Sequence, residues 1–250
     1  MIADKERRTV LEARNIVKQF GGLTAVNNVS MHVNEGEIVG LIGANGAGKT
    51  TLFNMIAGVF LPTSGRISFM GQEIQGLPCH KMCRLGIGRT YQIVKPFVNL
   101  SVLDNTVVGA LNQCKDVKSA REKARKTLDF VGLGHRMDVS SRNLNLPELK
   151  RLELARALAT EPKLLLLDEV MAGLNPTDSG RVIELVRRIR DERGITIIVI
   201  EHVMKAIMTL SNRIYVLNQG SLVADGTPEE VSKNPEVIKS YFGEKRYAKN

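Results

Sequence analysis

The sequence predicts an α/β fold with a mainly parallel core sheet, an N-terminal antiparallel β layer and an inserted helical subdomain. Three observations carry that expectation. The unbroken apolar runs Ile38-Val39-Gly40-Leu41-Ile42, Leu164 to Leu167 and Ile195 to Ile200 are too short for helices and have the make-up of parallel strands buried on both faces. Apolar and polar residues alternate through Val29, Met31 and Val33 and again at Ile67 and Phe69, the period of half-buried antiparallel strands. Helical patterns separate the apolar runs, and strand–helix alternation implies a parallel sheet.

In chain order, the alternating stretch supplies a small β layer and Ile38 to Ile42 opens the core sheet. A helix follows over Thr50 to Ala57. From Phe97 to Asn143 there is no central-strand run and Lys, Arg and Asp are enriched, which reads as an inserted helical segment around a long helix from Lys115 to Phe130. Helices over Glu148 to Ala159 and Asp178 to Glu192 then flank the strand at Leu164, and no internal repeat is visible.

Composition bounds the function. With 250 residues, 43% hydrophobic and 24% charged, the chain buries a sizeable core and is neither disordered nor collagen-like. The 35 Lys+Arg against 26 Asp+Glu leave a charge of +9, which fits nucleic acid, an acidic membrane surface or plain solubility. Lys118, Arg121, Lys123 and Arg125 cluster, but Asp116 and Glu122 interrupt them, so the cluster reads as a solvated helix face and no nucleic acid is expected. No window reaches the roughly 18 apolar residues of a membrane span. The start Met-Ile-Ala-Asp-Lys-Glu-Arg-Arg is charged where an export signal is apolar, so a cytoplasmic location is expected. Cys79, Cys83 and Cys114 are odd in number and lack paired metal spacing, even with His80 adjacent, and read as reduced thiols.

The sharpest motif is Gly43-Ala44-Asn45-Gly46-Ala47-Gly48-Lys49-Thr50, which fits G-x-x-x-x-G-K-[ST] between an apolar strand and a helix. Its glycines let the backbone turn so tightly that successive N–H groups and the helix N-terminus point at phosphate oxygens. Lys49 adds a positive charge, Thr50 a hydroxyl for Mg²⁺, and Asn45 supports the turn. A nucleoside triphosphate site follows. The strand Leu164 to Leu167 ends in Asp168-Glu169, two carboxylates at the edge a parallel sheet shares with the phosphate loop. Asp168 is placed to reach the metal and Glu169 to polarise a water for in-line attack on the γ-phosphate. The run from Ile195 ends likewise in Glu201-His202, which singles out His202 as a γ-phosphate contact. His32, His80 and His135 read as structural.

The order Gly43–Thr50, Gln92, Leu167-Asp168-Glu169, His202 resembles the nucleotide-binding subunit of ATP-binding-cassette (ABC) transporters over nearly the whole chain. The resemblance implies a single P-loop NTPase cassette over 1–250, with core and β layer at about 1–94 and 160–250 and a helical subdomain at about 95–159. It further implies that Phe20, in Lys18-Gln19-Phe20-Gly21-Gly22, stacks on adenine, that Val26 packs near the sugar, and that MgATP binds the stretch from Gly43 to Thr51. Gln92, in Arg89-Thr90-Tyr91-Gln92, matches the family's glutamine that touches Mg²⁺ and relays to the membrane subunit, which makes Phe97 to Asn143 the docking face. The ATPases of branched-chain amino acid importers look closer still, through Phe20-Gly21-Gly22-Leu23-Thr24-Ala25-Val26, Gly86 to Gln92, Met171-Ala172-Gly173-Leu174-Asn175-Pro176 and the tail Ala224-Asp225-Gly226-Thr227-Pro228-Glu229-Glu230-Val231. On that resemblance the partners are polytopic permease subunits, a second ABC ATPase chain and, indirectly, an extracytoplasmic solute-binding protein, with this chain on the inner face of the cell membrane.

The chain also departs from the family. Where Leu-Ser-Gly-Gly-Gln is expected it has Leu144-Asn145-Leu146-Pro147-Glu148. In the family that motif holds the partner's γ-phosphate across a dimer. Here Pro147 removes an N–H, Leu146 restricts the backbone, and Glu148 is expected to bring a negative charge near phosphates, although Asn145 retains a hydrogen-bonding side chain. Asn175 replaces an aspartate of the dimer seam. A heterodimer with unequal ATP sites is expected, with a homodimer as the rival. Alternative functions are a lipopolysaccharide or lipid exporter ATPase, an importer of urea or short amides, a non-transport cassette acting on nucleic acid, and a P-loop kinase. The kinase accounts for Gly43–Thr50 but not for Gln92, Glu169 and His202 together.

Overall fold

The computed structural model describes residues 8–242, so most of the charged start discussed above lies outside the described residues. In chain order the elements are β1 (Thr9–Phe20), β2 (Leu23–Asn34), β3 (Ile38–Gly43), α1 (Lys49–Ile56), β4 (Ser64–Phe69), β5 (Gln72–Glu73), α2 (Cys79–Leu85), β6 (Ile87–Arg89), α3 (Val102–Ala110) and α4 (Val117–Phe130). Then follow α5 (Leu146–Leu158), β7 (Leu164–Asp168), α6 (Pro176–Arg193), β8 (Thr196–Ile200), α7 (Met204–Leu210), β9 (Arg213–Asn218), β10 (Ser221–Gly226), α8 (Pro228–Lys233) and α9 (Pro235–Phe242). They form two compact units, one of the described residues up to Cys79 with those from Thr196 onward, the other of His80–Ile195.

The first unit holds an antiparallel sheet in the order β2-β1-β4-β5. Its alternation is the one read in the sequence: Val29, Met31 and Val33 are buried, and the residues between them are exposed. The same unit holds β3 paired in parallel with β8 on one side and β9 on the other, with β10 antiparallel to β9. β3 is buried along its whole length, and Ile38, Val39, Leu41 and Ile42 have no exposed surface. Each such side chain stabilises the fold by about 1.5–3 kcal/mol. That rigid strand ends at Gly43 and delivers the chain to the phosphate loop and α1.

Two of the loop glycines are dictated by neighbours. A Cβ on Gly43, at φ 153°, would collide with the carbonyl oxygen of Leu217, and one on Gly48, at φ 97°, with that of Ala25. β9 and β2 thus close on the loop so tightly that only glycine fits.

The second unit pairs β6 with β7 in parallel, and Leu164 to Leu167 are wholly buried. α3 packs on α4 and α5. α4 buries the stripe Ala120, Ala124, Thr127 and Leu128 and exposes Lys118, Arg121 and Arg125, the solvated face expected of it. Two helices begin earlier than their sequence pattern suggests. α5 starts at Leu146 rather than Glu148 and α6 at Pro176 rather than Asp178, because Asn145 and Asn175 cap them. Both prolines occupy first-turn positions, where a missing N–H costs nothing. Cys79, Cys83 and Cys114 are free thiols, and no cluster of metal-ligating side chains occurs among the described residues. No described helix is long and apolar enough to cross a membrane.

Candidate active site

In the first unit the phosphate loop borders a cavity of about 520 Å³ lined by Phe20, Leu23, Thr24, Ala25, Gly46 to Thr51, Gln219 and Gly220. Phe20 is 42% exposed, so its ring is available to stack. It packs edge-on against Phe60 at 5.4 Å, and the Lys18 ammonium lies 4.8 Å from its centroid while donating to the Leu61 carbonyl at 2.9 Å. Val26 is wholly buried and supports Gly48 from below, so the cavity wall is made by its neighbours Leu23, Thr24 and Ala25.

The N-terminus of α1 is built to receive an anion. Its cap is Gly48, which makes no side-chain capping hydrogen bond, and no acidic residue sits in the first turn. Lys49 is buried and donates to the carbonyls of Gly43 at 2.8 Å and Ala44 at 2.9 Å, which fixes its ammonium against the loop. Thr50, Ala44, Asn45 and Gly46 are exposed, and Ala47 is buried.

Sequence reasoning missed Gln219 and Gly220, which form the tip of the β9–β10 hairpin with φ of 46° and 81°, the turn type that favours glycine. The Gly220 N–H donates to the Ala47 carbonyl at 3.1 Å, and its own carbonyl accepts from Asn27 N–H at 2.7 Å, so the hairpin tip braces the loop. The only sequence signal was a turn dipeptide between two alternating strands. His202 follows β8 in the same unit and is exposed, next to the buried Glu201.

In the second unit the structure brings Gln92, Asp168 and Glu169 together. Gln92 Nε2 donates to Glu169 Oε2 at 2.9 Å. Glu169 sits in the left-handed region at φ 48°, an uncommon conformation for a residue with a side chain and one enriched at functional sites. Asp168 is 4% exposed, lies 3.5 Å from the Arg89 guanidinium, and its N–H donates to the Thr90 hydroxyl.

The variant segment Leu144–Glu148 differs from its expected chemistry. Asn145 Oδ1 accepts from the Glu148 N–H at 3.0 Å and Glu148 Oε2 accepts from the Asn145 N–H at 3.0 Å, a reciprocal capping box. Arg136 Nε lies 3.1 Å from Glu148 Oε1. The Glu148 charge is therefore spent on Arg136 and on the helix end rather than offered as a bare charge to phosphates. With Pro147 lacking an N–H and Glu148's N–H taken, little of this helix end remains to bind an anion. Leu144 is buried, and Leu146 is exposed beside Gly173. Asn175 caps α6 through the Asp178 N–H at 2.9 Å, and its amide donates to the Asp178 carboxylate at 2.8 Å, so a carboxylate persists three residues on.

Residues 26–172 match the ABC transporter family, and residues 221–246 match the branched-chain amino acid ATP-binding cassette transporter segment. The LivG protein of Salmonella typhimurium, a high-affinity branched-chain amino acid transport ATP-binding protein, is 41% identical over 94% of this chain and 98% of its own length. The BraF protein of Pseudomonas aeruginosa, of the same description, is 40% identical over 95% and 99%. The crystal structure of a nucleotide-free ATP-binding cassette from an ABC transporter superposes with a TM-score of 0.86 at 31% identity, covering 95% of this chain and all of the other. The phosphate loop, the acidic strand end and these likenesses agree: the chain belongs to the ABC transporter family, as one of its ATP-hydrolysing cassettes.

Proposed function

We propose that this chain hydrolyses ATP to drive an importer of branched-chain amino acids, as a peripheral subunit on the inner face of the cell membrane. The match of residues 221–246 to a segment specific to branched-chain amino acid cassettes carries the cargo class, and the likeness to LivG and BraF supports it. Permease subunits and an extracytoplasmic binding protein recognise the cargo. This chain supplies the energy.

In this reading adenine stacks on Phe20 and the triphosphate lies along Gly43 to Thr51, held by loop N–H groups, the α1 N-terminus and Lys49. On the likeness to the family, Thr50 in the first unit and Gln92 and Asp168 in the second would each offer Mg²⁺ a side-chain oxygen, the hard donor type that ion takes. The ion would supply positive charge for the phosphate oxygens. Glu169 orients and polarises the attacking water, Gln92 holds the Glu169 carboxylate, and His202 contacts the γ-phosphate.

The capped α5 end supports a heterodimer in which this chain's phosphate loop faces a partner's regular signature, while the site completed by Leu144–Glu148 turns over slowly or not at all. Labelled leucine uptake by cells whose chain carries Glu169→Gln tests the function. Uptake of leucine, isoleucine and valine falls to background while unrelated solutes enter normally. Unchanged uptake of all three would refute the cargo assignment. Co-purification of the tagged chain from native membranes with two permease subunits and a second cassette chain is the expected composition, and recovery of this cassette alone as a pair would favour the homodimer.

A further inference from the structure

Residues 91–97 contain no helix or strand, yet their backbone is held at several points by side chains of one helix. Lys150, Glu153 and Arg156 stand about one turn apart along α5. Lys150 Nζ donates to the carbonyl of Gln92 at 3.3 Å and to that of Glu169 at 3.0 Å. Glu153 Oε1 accepts from the Tyr91 N–H at 2.6 Å. Arg156 Nη1 donates to the Lys95 carbonyl at 2.9 Å, and its guanidinium lies over the Phe97 ring at 4.8 Å. Backbone groups that a sheet or helix would satisfy are satisfied here by three charges of α5.

Lys150 and Glu153 are 3% and 5% exposed. Burying a Lys and a Glu is expensive unless each is well bonded, and Glu153 Oε2 lacks a hydrogen-bond partner among the described residues. An apolar pair would fill the same space at lower cost, so packing alone does not account for these residue types. What they achieve is geometric. Lys150 bridges the backbones of Gln92 and Glu169, whose side chains also meet, so one ammonium closes a ring through both residues. It also grips the carbonyl of a residue in the left-handed conformation, and so holds the backbone from which the Glu169 side chain projects.

We propose that Lys150, seconded by Glu153, is a positioning residue for hydrolysis: the pair sets the Gln92 segment and the Glu169 backbone in one register, so that the Glu169 carboxylate stands ready for water. This role rests on Glu169 being the water-orienting group. Because α5 begins at the variant segment Leu144–Glu148, the same helix ties that end of the chain to Glu169 through a single turn.

The test uses the chain purified with its native membrane partners, reading kcat and KM for ATP and binding of a fluorescent ATP analogue. Lys150→Met lowers kcat about tenfold or more with KM and analogue affinity within about twofold, since a small misplacement of a catalytic group is costly while the phosphate loop is untouched. Lys150→Arg, which keeps donors for both carbonyls, restores most of kcat. Glu153→Gln, whose amide oxygen still accepts from Tyr91, stays within about twofold of the parent, and Glu153→Leu falls like Lys150→Met. A Lys150→Met kcat equal to the parent's, with Glu169→Gln inactive, overturns the proposal. So does failure of Lys150→Arg to rescue with KM rising alongside, which marks a general loss of structure. If Lys150→Met does not fold, equal kcat for Glu153→Gln and Glu153→Leu overturns it. Full activity of Glu169→Gln instead overturns the Glu169 assignment and this role with it.

Discussion

Two helix N-termini in this protein start from the same physics and finish differently. α1 begins at Gly48 with no side-chain cap and no acid, so nothing in its first turn offsets the positive end of its dipole. α5 begins at Asn145, whose side chain takes the Glu148 N–H, with Pro147 in the first turn and Glu148 folded back on the Asn145 N–H and on Arg136. The first end is left uncapped by the chain, as a phosphate-binding helix end would be. The second is finished by the chain itself. A helix end can be made stable or made a binding site, and the residues that achieve one remove the other.

The comparison can be broken most sharply at the open end. Lys49→Met removes the loop's charge and is expected to lower ATP turnover by about 10²-fold or more, measured as phosphate release by the native complex. Loss of much less than that would mean that the backbone donors alone suffice.

A reversal at the closed end is the next largest effect. Replacing Asn145, Leu146, Pro147 and Glu148 by Ser, Gly, Gly and Gln restores the N–H that Pro147 lacks, removes the Glu148 charge and frees the backbone at Leu146, and turnover of the complex is expected to rise roughly twofold as a second site becomes competent. Unchanged turnover would argue that the variant segment was never the limiting feature. The same substitution lowers thermal stability, because each glycine costs about 1 kcal/mol in a helix.

Glu148→Ala alone separates capping from catalysis. Loss of the box and of Arg136's carboxylate costs about 2 kcal/mol, a fall of roughly 4–8 °C in melting temperature, while nucleotide binding at the phosphate loop is unchanged. A melting temperature equal to the parent's would mean that water satisfies both groups.

The smallest effect concerns pH at another box. Thr227 and Glu230 cap α8 reciprocally, and the Thr227 N–H holds the Glu230 carboxyl below its ordinary value of 4.5. A depressed carboxyl contributes stability that is present above its unfolded value and is lost as pH falls through the folded one. Glu230→Gln, which removes the titrating carboxyl, is therefore less stable than the parent at neutral pH, and the gap narrows below about pH 4. A gap that stays constant with pH would place the effect outside Glu230.

Much of this was legible in the sequence because the signals are local. Ile38 to Ile42 and Leu164 to Leu167 are short apolar runs whose length excludes a helix, and the phosphate loop is eight consecutive residues. What escaped was of three kinds. Gln219 and Gly220 brace the loop from a hairpin far along the chain, and a turn dipeptide does not say what it touches. Lys150, Glu153 and Arg156 lie in a stretch that reads only as a helix, and the pattern does not say that residues 91–97 lie against the first two and bury them. The helix starts were misplaced for a third reason. Pro147 and Pro176 look like breaks until the preceding asparagine is recognised as the cap.

Phe20 carries one more consequence. The chain contains no tryptophan, and Phe20 stands half out of the wall of the cavity beside the phosphate loop, steadied by Phe60 and the Lys18 ammonium. A tryptophan placed at that position is the sole indole of the isolated polypeptide, so its emission under red-edge excitation has no competing source. Stacking on a purine quenches such a fluorophore, and the site becomes its own optical gauge of occupancy.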